Sequence, residues 1–154
     1  MRAVIQRCSR CSVTSDGQMT GNIGTGLTVL LGIHREDSRA DADYIVKKVL
    51  GLRIFEDESH KLNLSVSDIH GELMVVSQFT LYGDCRHGRR PSFTEAAPPE
   101  KAKELYEYAV SEFRKSGLRT ETGRFQTEMT VSLDNWGPVT ILIDSSRLPR
   151  EVHT

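Results

Sequence analysis

The sequence has no excess charge, no long apolar segment and little cysteine, and each absence excludes a class of protein. Its 154 residues carry a formal net charge of −1, from 20 basic and 21 acidic residues, which argues against a general nucleic-acid coat protein. No apolar run approaches the ~18 residues of a membrane-spanning helix, so no membrane partner is expected. Three cysteines, an odd number, and the lack of a secretory leader indicate a reducing compartment, and we expect a cytoplasmic protein.

Familiar catalytic and metal-binding motifs are also missing. There is no G-x-S-x-G motif, and none of the five histidines lies in a nucleophile motif; only His87 lies near a candidate site. Cys8 and Cys11 form a C-x-x-C motif, but no second ligand pair for zinc accompanies them. Because this stretch reads as a strand, we expect the two side chains on opposite faces, as structural cysteines. We therefore expect neither a metal site nor a cofactor.

The residues that are present predict one mixed α/β domain. Hydrophobic residues make up 38% of the chain, which is enough for a core. Apolar residues at helical spacing after Asp37-Ser38 and after Pro98-Pro99 predict two helices. We assign residues 1–145 to a single domain with a mixed sheet packed on other layers, and residues 146–154 to a polar C-terminal tail. The predicted strands are residues 2–14, 19–23, 27–33, 53–56, 73–79, 119–123, 129–135 and 139–144.

The first of two unusual stretches is Ser77-Gln78-Phe79-Thr80-Leu81, at the end of an apolar strand. Its polar residues interrupt a segment that should be buried. Ser77 and Thr80 are candidate nucleophiles, but no activating base is identifiable nearby. In the alternative interpretation, both hydroxyl groups only satisfy backbone groups at the strand end. The residues by themselves leave both interpretations open.

The second unusual stretch is Gly137-Pro138-Val139-Thr140, between two strand-like runs. Because proline cannot donate a hydrogen bond to a strand ladder, it interrupts the pairing at this point. One interpretation is a simple turn or edge kink. The other is a cis peptide bond that presents backbone carbonyls. Together the two stretches indicate a site built mainly from backbone.

A basic loop lies between the two predicted helices. It contains Arg86, Arg89 and Arg90 and is followed by Phe93. One interpretation is a solvated surface loop. The other is a phosphate contact, because arginine pairs with phosphate in a fixed fork, and Phe93 is suited to stacking on a base.

These stretches resemble the bacterial D-aminoacyl-tRNA deacylases, the D-tyrosyl-tRNA(Tyr) deacylase family. The resemblance implies an α/β fold of mixed β-sheets with helices on one side, in a three-layer α/β/β arrangement. It also implies a homodimer whose active sites lie at the subunit interface. The matching segments are residues 1–7, 52–57, 77–84, 88–93, 123–125 and 137–140.

The same resemblance implies roles for individual residues. The family's Gly-cis-Pro motif falls on Gly137 and Pro138, and would reach into the pocket of the other subunit. Arg7 matches the residue that holds this motif in place. Phe125 and Met129 resemble positions that wall the adenosine end of the tRNA. The implied catalytic residues, on the family's S-Q-x-T-L motif, are Ser77, Gln78, Phe79 and Thr80.

The implied reaction is hydrolysis of the ester bond of D-aminoacyl-tRNA, with L-aminoacyl-tRNA rejected by a Gly-cis-Pro backbone wall. Glycyl-tRNA mischarged on tRNA(Ala) is an expected second substrate, because glycine has no side chain to clash. The expected partners are the 3′ end of aminoacyl-tRNA and a second copy of the chain, and no DNA. No cofactor is implied.

The chain departs from the family pattern at two places. Trp136 precedes Gly-Pro where relatives have a small or acidic residue, and residues 126–128 replace a stretch richer in glycine and alanine. Ser77 at the head of its motif favours the D-specific class.

Two alternative functions remain open. They are a tRNA-binding module without catalysis, and a general esterase that uses Ser77 or Thr80 as its nucleophile.

Overall fold

The chain begins with a long strand, β1 (Arg2–Ser15), around which the other strands assemble. The computed structural model describes residues 1–147. The remaining elements are β2 (Gln18–Ile23), β3 (Gly26–Gly32), α1 (Arg39–Gly51), β4 (Phe55–Glu56), β5 (Leu62–Leu64), β6 (Glu72–Ser77), a 3₁₀ helix (Phe79–Tyr82), α2 (Pro99–Arg114), β7 (Thr120–Thr122), β8 (Met129–Asp144) and a second 3₁₀ helix (Ser145–Arg147).

Antiparallel and parallel pairs occur in the same sheet. The first half of β1 pairs antiparallel with β3 and its second half with β2, while β8 runs antiparallel along almost all of β1. β6 and β7 extend the sheet beyond β3 in parallel. β4 and β5 form a separate two-stranded sheet. The predicted mixed sheet is therefore confirmed.

The two faces of the central strands bury two different cores. Val29 and Val75 face the helices and belong to the larger core, whereas Met74 and Val76 face the opposite side. This alternation follows from the two-residue period of a strand. The far half of β1, together with β2 and the start of β8, closes the second core. The result is the three-layer α/β/β arrangement, with helices on one side, that the resemblance implies.

Both helices begin at the predicted positions. The Ser38 backbone N–H donates to Asp41 Oδ2 at 2.9 Å, which caps α1, and Pro99 occupies the first turn of α2. One face of α2 is buried at helical spacing, as predicted. Within the described residues, neither helix is both long and apolar enough to cross a bilayer. The buried residues of α2 are Ala102, Leu105, Tyr106, Ala109, Val110 and Phe113.

The two late strands predicted on either side of Gly137-Pro138 are one strand, and that prediction is wrong. Both halves of β8 pair with β1, because Gln6 lies opposite Thr140 and Cys8 lies opposite Asn135. Residues 136–139 therefore bulge out of the ladder opposite a single β1 residue; we call them the Gly-Pro bulge. Asn135 closes its base, since Oδ1 accepts from the Val139 N–H at 3.1 Å and Nδ2 donates to Thr140 Oγ1 at 3.0 Å.

The expectation that Cys8 and Cys11 face opposite sides is also wrong. Both side chains are buried in the second core, as free thiols. The reason is a second irregularity in the pairing of β1 with β8 between these two residues, where Ser9 and Arg10 are exposed. The Thr28 hydroxyl donates to Cys8 Sγ at 3.5 Å. Burial raises the pKa of both thiols, which keeps them protonated.

Two predicted strands are shorter than expected, and one short strand was not predicted. The strand expected over residues 73–79 ends at Ser77, because the chain turns into the 3₁₀ helix at Phe79. The strand expected over 53–56 consists only of Phe55–Glu56. It pairs with β5, a three-residue strand whose sequence shows no alternation strong enough to predict it.

The two ends of the described chain meet at the edge of the helical layer. The Met1 amino group donates to Asp37 Oδ1 at 2.7 Å and to Ser145 Oγ at 2.8 Å. Ser145 is buried, and its hydroxyl also donates to Asp41 Oδ1 at 2.7 Å. The polar tail predicted for residues 146–154 lies outside the described residues from 148 onward.

Asp144 is expected to cause part of the acid destabilisation of the protein. Partial burial by itself raises the pKa of Asp144, but hydrogen bonds from the Ser146 hydroxyl, the Arg2 guanidinium and the Ser146 N–H outweigh it and lower the pKa to about 2. The unfolded carboxylate, with its pKa near 3.8, binds a proton first. Stability from these bonds is thus complete above pH ~4 and is lost as the pH falls toward 2, at most about 2 kcal/mol.

Unfolding free energies measured between pH 7 and pH 2 test this expectation. Asp144→Asn should flatten the loss between pH 4 and pH 2 relative to the unsubstituted protein. Asp134→Asn is the control, because Asp134 is an exposed carboxylate of the same strand that pairs with Arg10 at the surface. An identical acid loss in Asp144→Asn and the unsubstituted protein would contradict the assignment.

Candidate active site

The candidate site begins where β6 leaves the sheet after Ser77. The Gln78 N–H still donates to the Leu31 carbonyl at 2.8 Å, and the chain then turns into the 3₁₀ helix. Gly32 permits this turn, because a Cβ at that position would lie 3.1 Å from the Gln78 carbonyl oxygen. The turn is therefore packed directly against the end of β3.

This turn presents two backbone amides without acceptors. The N–H groups of Phe79 and Thr80 are the first of the 3₁₀ helix, and neither donates a hydrogen bond within residues 1–147. The Gln78 side-chain amide donates to Thr80 Oγ1 at 3.2 Å. Because Phe79 and Thr80 are exposed, these donors are accessible to a bound molecule.

The turn forms one wall of a cavity of about 910 Å³, a size typical of small-molecule sites. Not one of the lining residues is acidic, basic, histidine, cysteine or tyrosine. A side-chain general base or metal ligand is therefore absent from the lining contributed by the described part of this chain. The lining residues are Ile33, Val76, Ser77, Gln78, Phe79, Thr80, Phe93, Ala96, Ala97, Pro99, Ala102, Phe125, Gln126, Thr127, Met129 and Val131.

Aromatic contacts hold two sides of the cavity in place. Phe93 meets Phe79 edge-on, with 5.1 Å between ring centroids. Phe125 stacks on Tyr106 of α2 at 5.9 Å. The Tyr106 hydroxyl donates to the Val75 carbonyl at 2.7 Å, and burial raises the pKa of Tyr106 to about 12, so that it remains a donor at neutral pH. Phe125 is thereby tied to the strand that leads into the candidate site.

Arg7 lies beneath the Gly-Pro bulge and is 3% exposed. Its Nε donates to the Trp136 carbonyl at 2.9 Å, and Nη1 donates to the Ile54 carbonyl at 2.9 Å. The guanidinium also lies over the Trp136 ring, 4.4 Å from its centroid. One buried side chain thus fixes the bulge to the loop before β4 by two charged hydrogen bonds.

Gly137 and Pro138 are exposed at the tip of this bulge, and the peptide bond between them is cis. Gly137 has a φ of 128°, and a Cβ there would lie 2.7 Å from Arg7 Nη2. A side chain at this position would therefore displace either the bulge or the arginine that holds it.

The model of the family described as D-Tyr-tRNA(Tyr) deacylase matches residues 4–144. The chain belongs to this family. A D-aminoacyl-tRNA deacylase of Koribacter versatilis is 58% identical over 147 residues, covering 96% of this chain and 99% of the relative. The protein of the same name from Thermotoga petrophila is 57% identical over 148 residues, with the same coverage. The family resemblance drawn from the motifs is confirmed.

Two solved structures share the fold of this deacylase-family chain. One, described as c-Myc DNA Unwinding Element Binding Protein, is 42% identical, with a TM-score of 0.88 over 94% of this chain and 98% of that one. The other, described as a probable eukaryotic D-amino acid tRNA deacylase, has a TM-score of 0.78 over 92% of this chain and 97% of that one. At 16% identity, the second likeness shows the fold alone.

Six of the nine predicted site residues line the cavity, and the other three do not. Arg7 is buried under the bulge, and Gly137 and Pro138 lie at its tip; these three do not line the cavity of their own chain. The six residues that line it are Ser77, Gln78, Phe79, Thr80, Phe125 and Met129.

Sequence reasoning missed two features of the site. Gln126 and Thr127 line the cavity, although in the sequence their stretch stands out only as a departure from the family pattern. The positive φ of Gln126, 59°, marks a tight turn that a single sequence does not reveal. Asn135 closes the bulge, and the readiness of asparagine to bond nearby backbone was the signal that could have identified it.

Proposed function

We propose that the protein hydrolyses the ester bond of D-aminoacyl-tRNA to free tRNA and D-amino acid. The chain belongs to a family of ester hydrolases whose curated relatives carry this activity in their names. The observation that carries the proposal is the cavity itself. It offers two accessible backbone amides, hydroxyl groups and two amide side chains, but no acidic, basic, histidine, cysteine or tyrosine residue. Such a lining suits an ester that is already labile and needs polarisation more than a strong base.

Ser77, Gln78, Phe79 and Thr80 form the proposed catalytic segment. The N–H groups of Phe79 and Thr80 stabilise the oxyanion that develops when water attacks the ester carbonyl. A single donor of this kind contributes ~2.7–4 kcal/mol to the transition state. The neighbouring ribose 2′-hydroxyl assists activation of the water, so the substrate supplies the group that the lining lacks.

The terminal adenosine of the tRNA occupies the other side of the cavity in this proposal. Phe125 and Met129 provide an apolar wall for the base. Stacking on such a wall is tolerant of sequence and typically contributes ~1–3 kcal/mol per base. The support of Phe125 by Tyr106 keeps the wall aligned with the catalytic segment.

Chiral selection is assigned to Gly137 and Pro138 of a second copy of the chain. Both are exposed and lie outside the cavity of their own chain, which supports a homodimer in which each bulge reaches the other cavity. A backbone wall rejects every L side chain by collision, whatever its type, and Arg7 holds the wall in position. Glycyl-tRNA passes the wall because it has no side chain. The cytoplasm, where aminoacyl-tRNA is used, is the proposed location.

Deacylation of D-tyrosyl-tRNA and L-tyrosyl-tRNA, measured side by side, tests the proposal. Rapid loss of the D ester with the L ester spared is expected. Equal loss of both esters would indicate a general esterase. Binding of tRNA without loss of either ester would indicate the non-catalytic binding module.

The hydroxyl groups of Ser77 and Thr80 are expected to assist the reaction without acting as nucleophiles. Ser77→Ala and Thr80→Ala should each lower kcat by about tenfold to a hundredfold, the size expected for one or two lost hydrogen bonds. Mass spectrometry during turnover should detect no acyl-enzyme.

Ser67→Ala is the matched control. Ser67 is exposed, does not line the cavity, and its hydroxyl makes no hydrogen bond within residues 1–147. Its activity should be unchanged. A loss of more than ~10⁴-fold in both site variants, or a covalent acyl adduct on either hydroxyl, would replace this mechanism with nucleophilic catalysis.

A further inference from the structure

A short basic hairpin, residues 84–92, projects beside the candidate active site. Its base is closed by two backbone hydrogen bonds, from the Asp84 N–H to the Ser92 carbonyl at 2.7 Å and from the Ser92 N–H to the Asp84 carbonyl at 2.9 Å. Gly88, with a φ of 71°, lies at its tip. The hairpin is thus a defined element, and the sequence motif it contains plays no part in the chemistry described above.

The hairpin is attached at the mouth of the cavity. The residue after it, Phe93, lines the cavity and contacts Phe79 of the catalytic segment. Gly83, the residue before the hairpin, packs closely against Phe93, since a Cβ at Gly83 would lie 3.1 Å from the Phe93 ring. The tip, four residues from the base, extends no more than about 14 Å. A molecule whose end occupies the cavity therefore passes within reach of the tip.

The charge of the hairpin is concentrated in two arginines. Arg86 is already paired: Nε and Nη2 donate to the two oxygens of Asp84 at 2.9 and 2.7 Å. This fork holds the pKa of Asp84 at about 2, so the pair is neutral at physiological pH. Arg89 and Arg90 are exposed and have no hydrogen-bond or salt-bridge partner among residues 1–147. In a chain with a net charge of −1, the two are a local cationic site.

We propose that Arg89 and Arg90 bind phosphates of the tRNA acceptor end whose ester lies in the cavity, with the Asp84–Arg86 pair as a brace for the hairpin. This inference rests on the proposed function and specifies how that site takes a long polyanion. Guanidinium groups match phosphate oxygens in geometry, and the reach of the hairpin, at most about 14 Å from its base beside the cavity, covers the nucleotides just before the terminal adenosine. Contacts of this kind position the substrate and carry no sequence information.

The test compares Arg89→Gln/Arg90→Gln with a control that loses the same charge elsewhere. Lys47→Gln/Arg114→Gln is suitable, because both residues are exposed on helices and Arg114 lies at the far end of α2, about 22 Å along the helix from the cavity residue Pro99. Two substrates are used, D-tyrosyl-tRNA and D-tyrosyl-adenosine, which has the ester but no phosphate. Thermal unfolding verifies that all variants are folded.

The hairpin variant should lose at least about tenfold in kcat/KM on the tRNA ester at low salt, and keep its rate on the adenosine ester. The slope of log(kcat/KM) against log[salt] should become shallower by about 1 for each arginine removed. The control variant should match the unsubstituted protein. An unchanged salt slope would overturn the inference, as would an equal loss on both esters, which would place the hairpin's effect in the cavity.

Binding of uncharged tRNA, measured as a function of salt, separates this inference from the proposed function. If the unsubstituted protein hydrolyses neither ester, the proposed function fails. The hairpin assignment is still supported in that case if tRNA binding weakens in the hairpin variant and not in the control. It is overturned if binding is the same in both.

Discussion

Arg7→Ala is expected to lower kcat/KM for D-tyrosyl-tRNA by at least about a hundredfold. Arg7 ties the Gly-Pro bulge to the loop before β4 through the Trp136 and Ile54 carbonyls. Its removal leaves two carbonyl groups without a donor, at about 1–3 kcal/mol each, and removes the support beneath Trp136. If the bulge forms the chiral wall of the partner cavity, its displacement reaches the reacting ester directly.

Steady-state deacylation and chemical unfolding are measured on the same samples. Together they distinguish an effect on the position of the Gly-Pro bulge from an effect on the stability of the folded protein. Arg7→Lys keeps the charge but offers one compact ammonium where the structure uses a planar fork, so its activity should fall between those of the alanine variant and the unsubstituted protein. Arg10→Ala is the matched control. It removes an arginine from the same strand, but one that is exposed and makes a surface pair with Asp134.

Loss of stability without loss of activity would contradict the role given to Arg7. The lysine variant keeps the test decisive if the alanine variant does not fold. A folded Arg7→Lys protein with the full rate and full preference for the D ester would show that the bulge needs no fork to hold it.

Gly137→Ala is expected to have an effect of similar size, for a steric reason. The added Cβ would lie 2.7 Å from Arg7 Nη2 and 2.9 Å from Val139 Cγ2, and the residue has a φ of 128° that side chains rarely adopt. The bulge must therefore shift. Since a misplacement of ~1 Å in a positioned group can reduce a rate by about a hundredfold, we expect such a loss for D-tyrosyl-tRNA and a smaller ratio of D to L hydrolysis.

Gly117→Ala controls for backbone strain alone. Gly117 also has a positive φ, 83°, but nothing lies within 4 Å of the Cβ that alanine would add, and the residue neither lines the cavity nor belongs to the bulge. This variant should be destabilised by about 1 kcal/mol and retain its activity and selectivity. If Gly137→Ala behaves in the same way as Gly117→Ala, crowding at the bulge has no functional consequence and the wall must be sought elsewhere.

Features encoded by neighbouring residues could be predicted from the sequence. The capping residue Ser38 and the proline pair at the start of α2 mark helix starts by local bonding rules. The segment 77–80 belongs to this class as well, because polar residues at the end of a buried strand stand out in the sequence. Its four residues accordingly lie together in one cavity.

Features that depend on pairing between distant strands could not be predicted. The continuity of β8 is decided by β1, which pairs with both halves and forces residues 136–139 outward. The same pairing has an irregularity between Cys8 and Cys11, and this places both thiols in one core. Neither outcome follows from local propensity, because a ladder register is set by two strands at once.

The same reason explains why one part of the candidate site could be predicted from the sequence and the other part could not. Short patterns of residues were enough to predict the fold class, the family and the contiguous half of the site. The folded structure was needed to show that Arg7, 129 residues away from Trp136, lies beneath the bulge, and that Gly137 and Pro138 lie outside the cavity of their own chain. Hydrogen bonds and steric contacts between such distant residues exist only once the strands have paired.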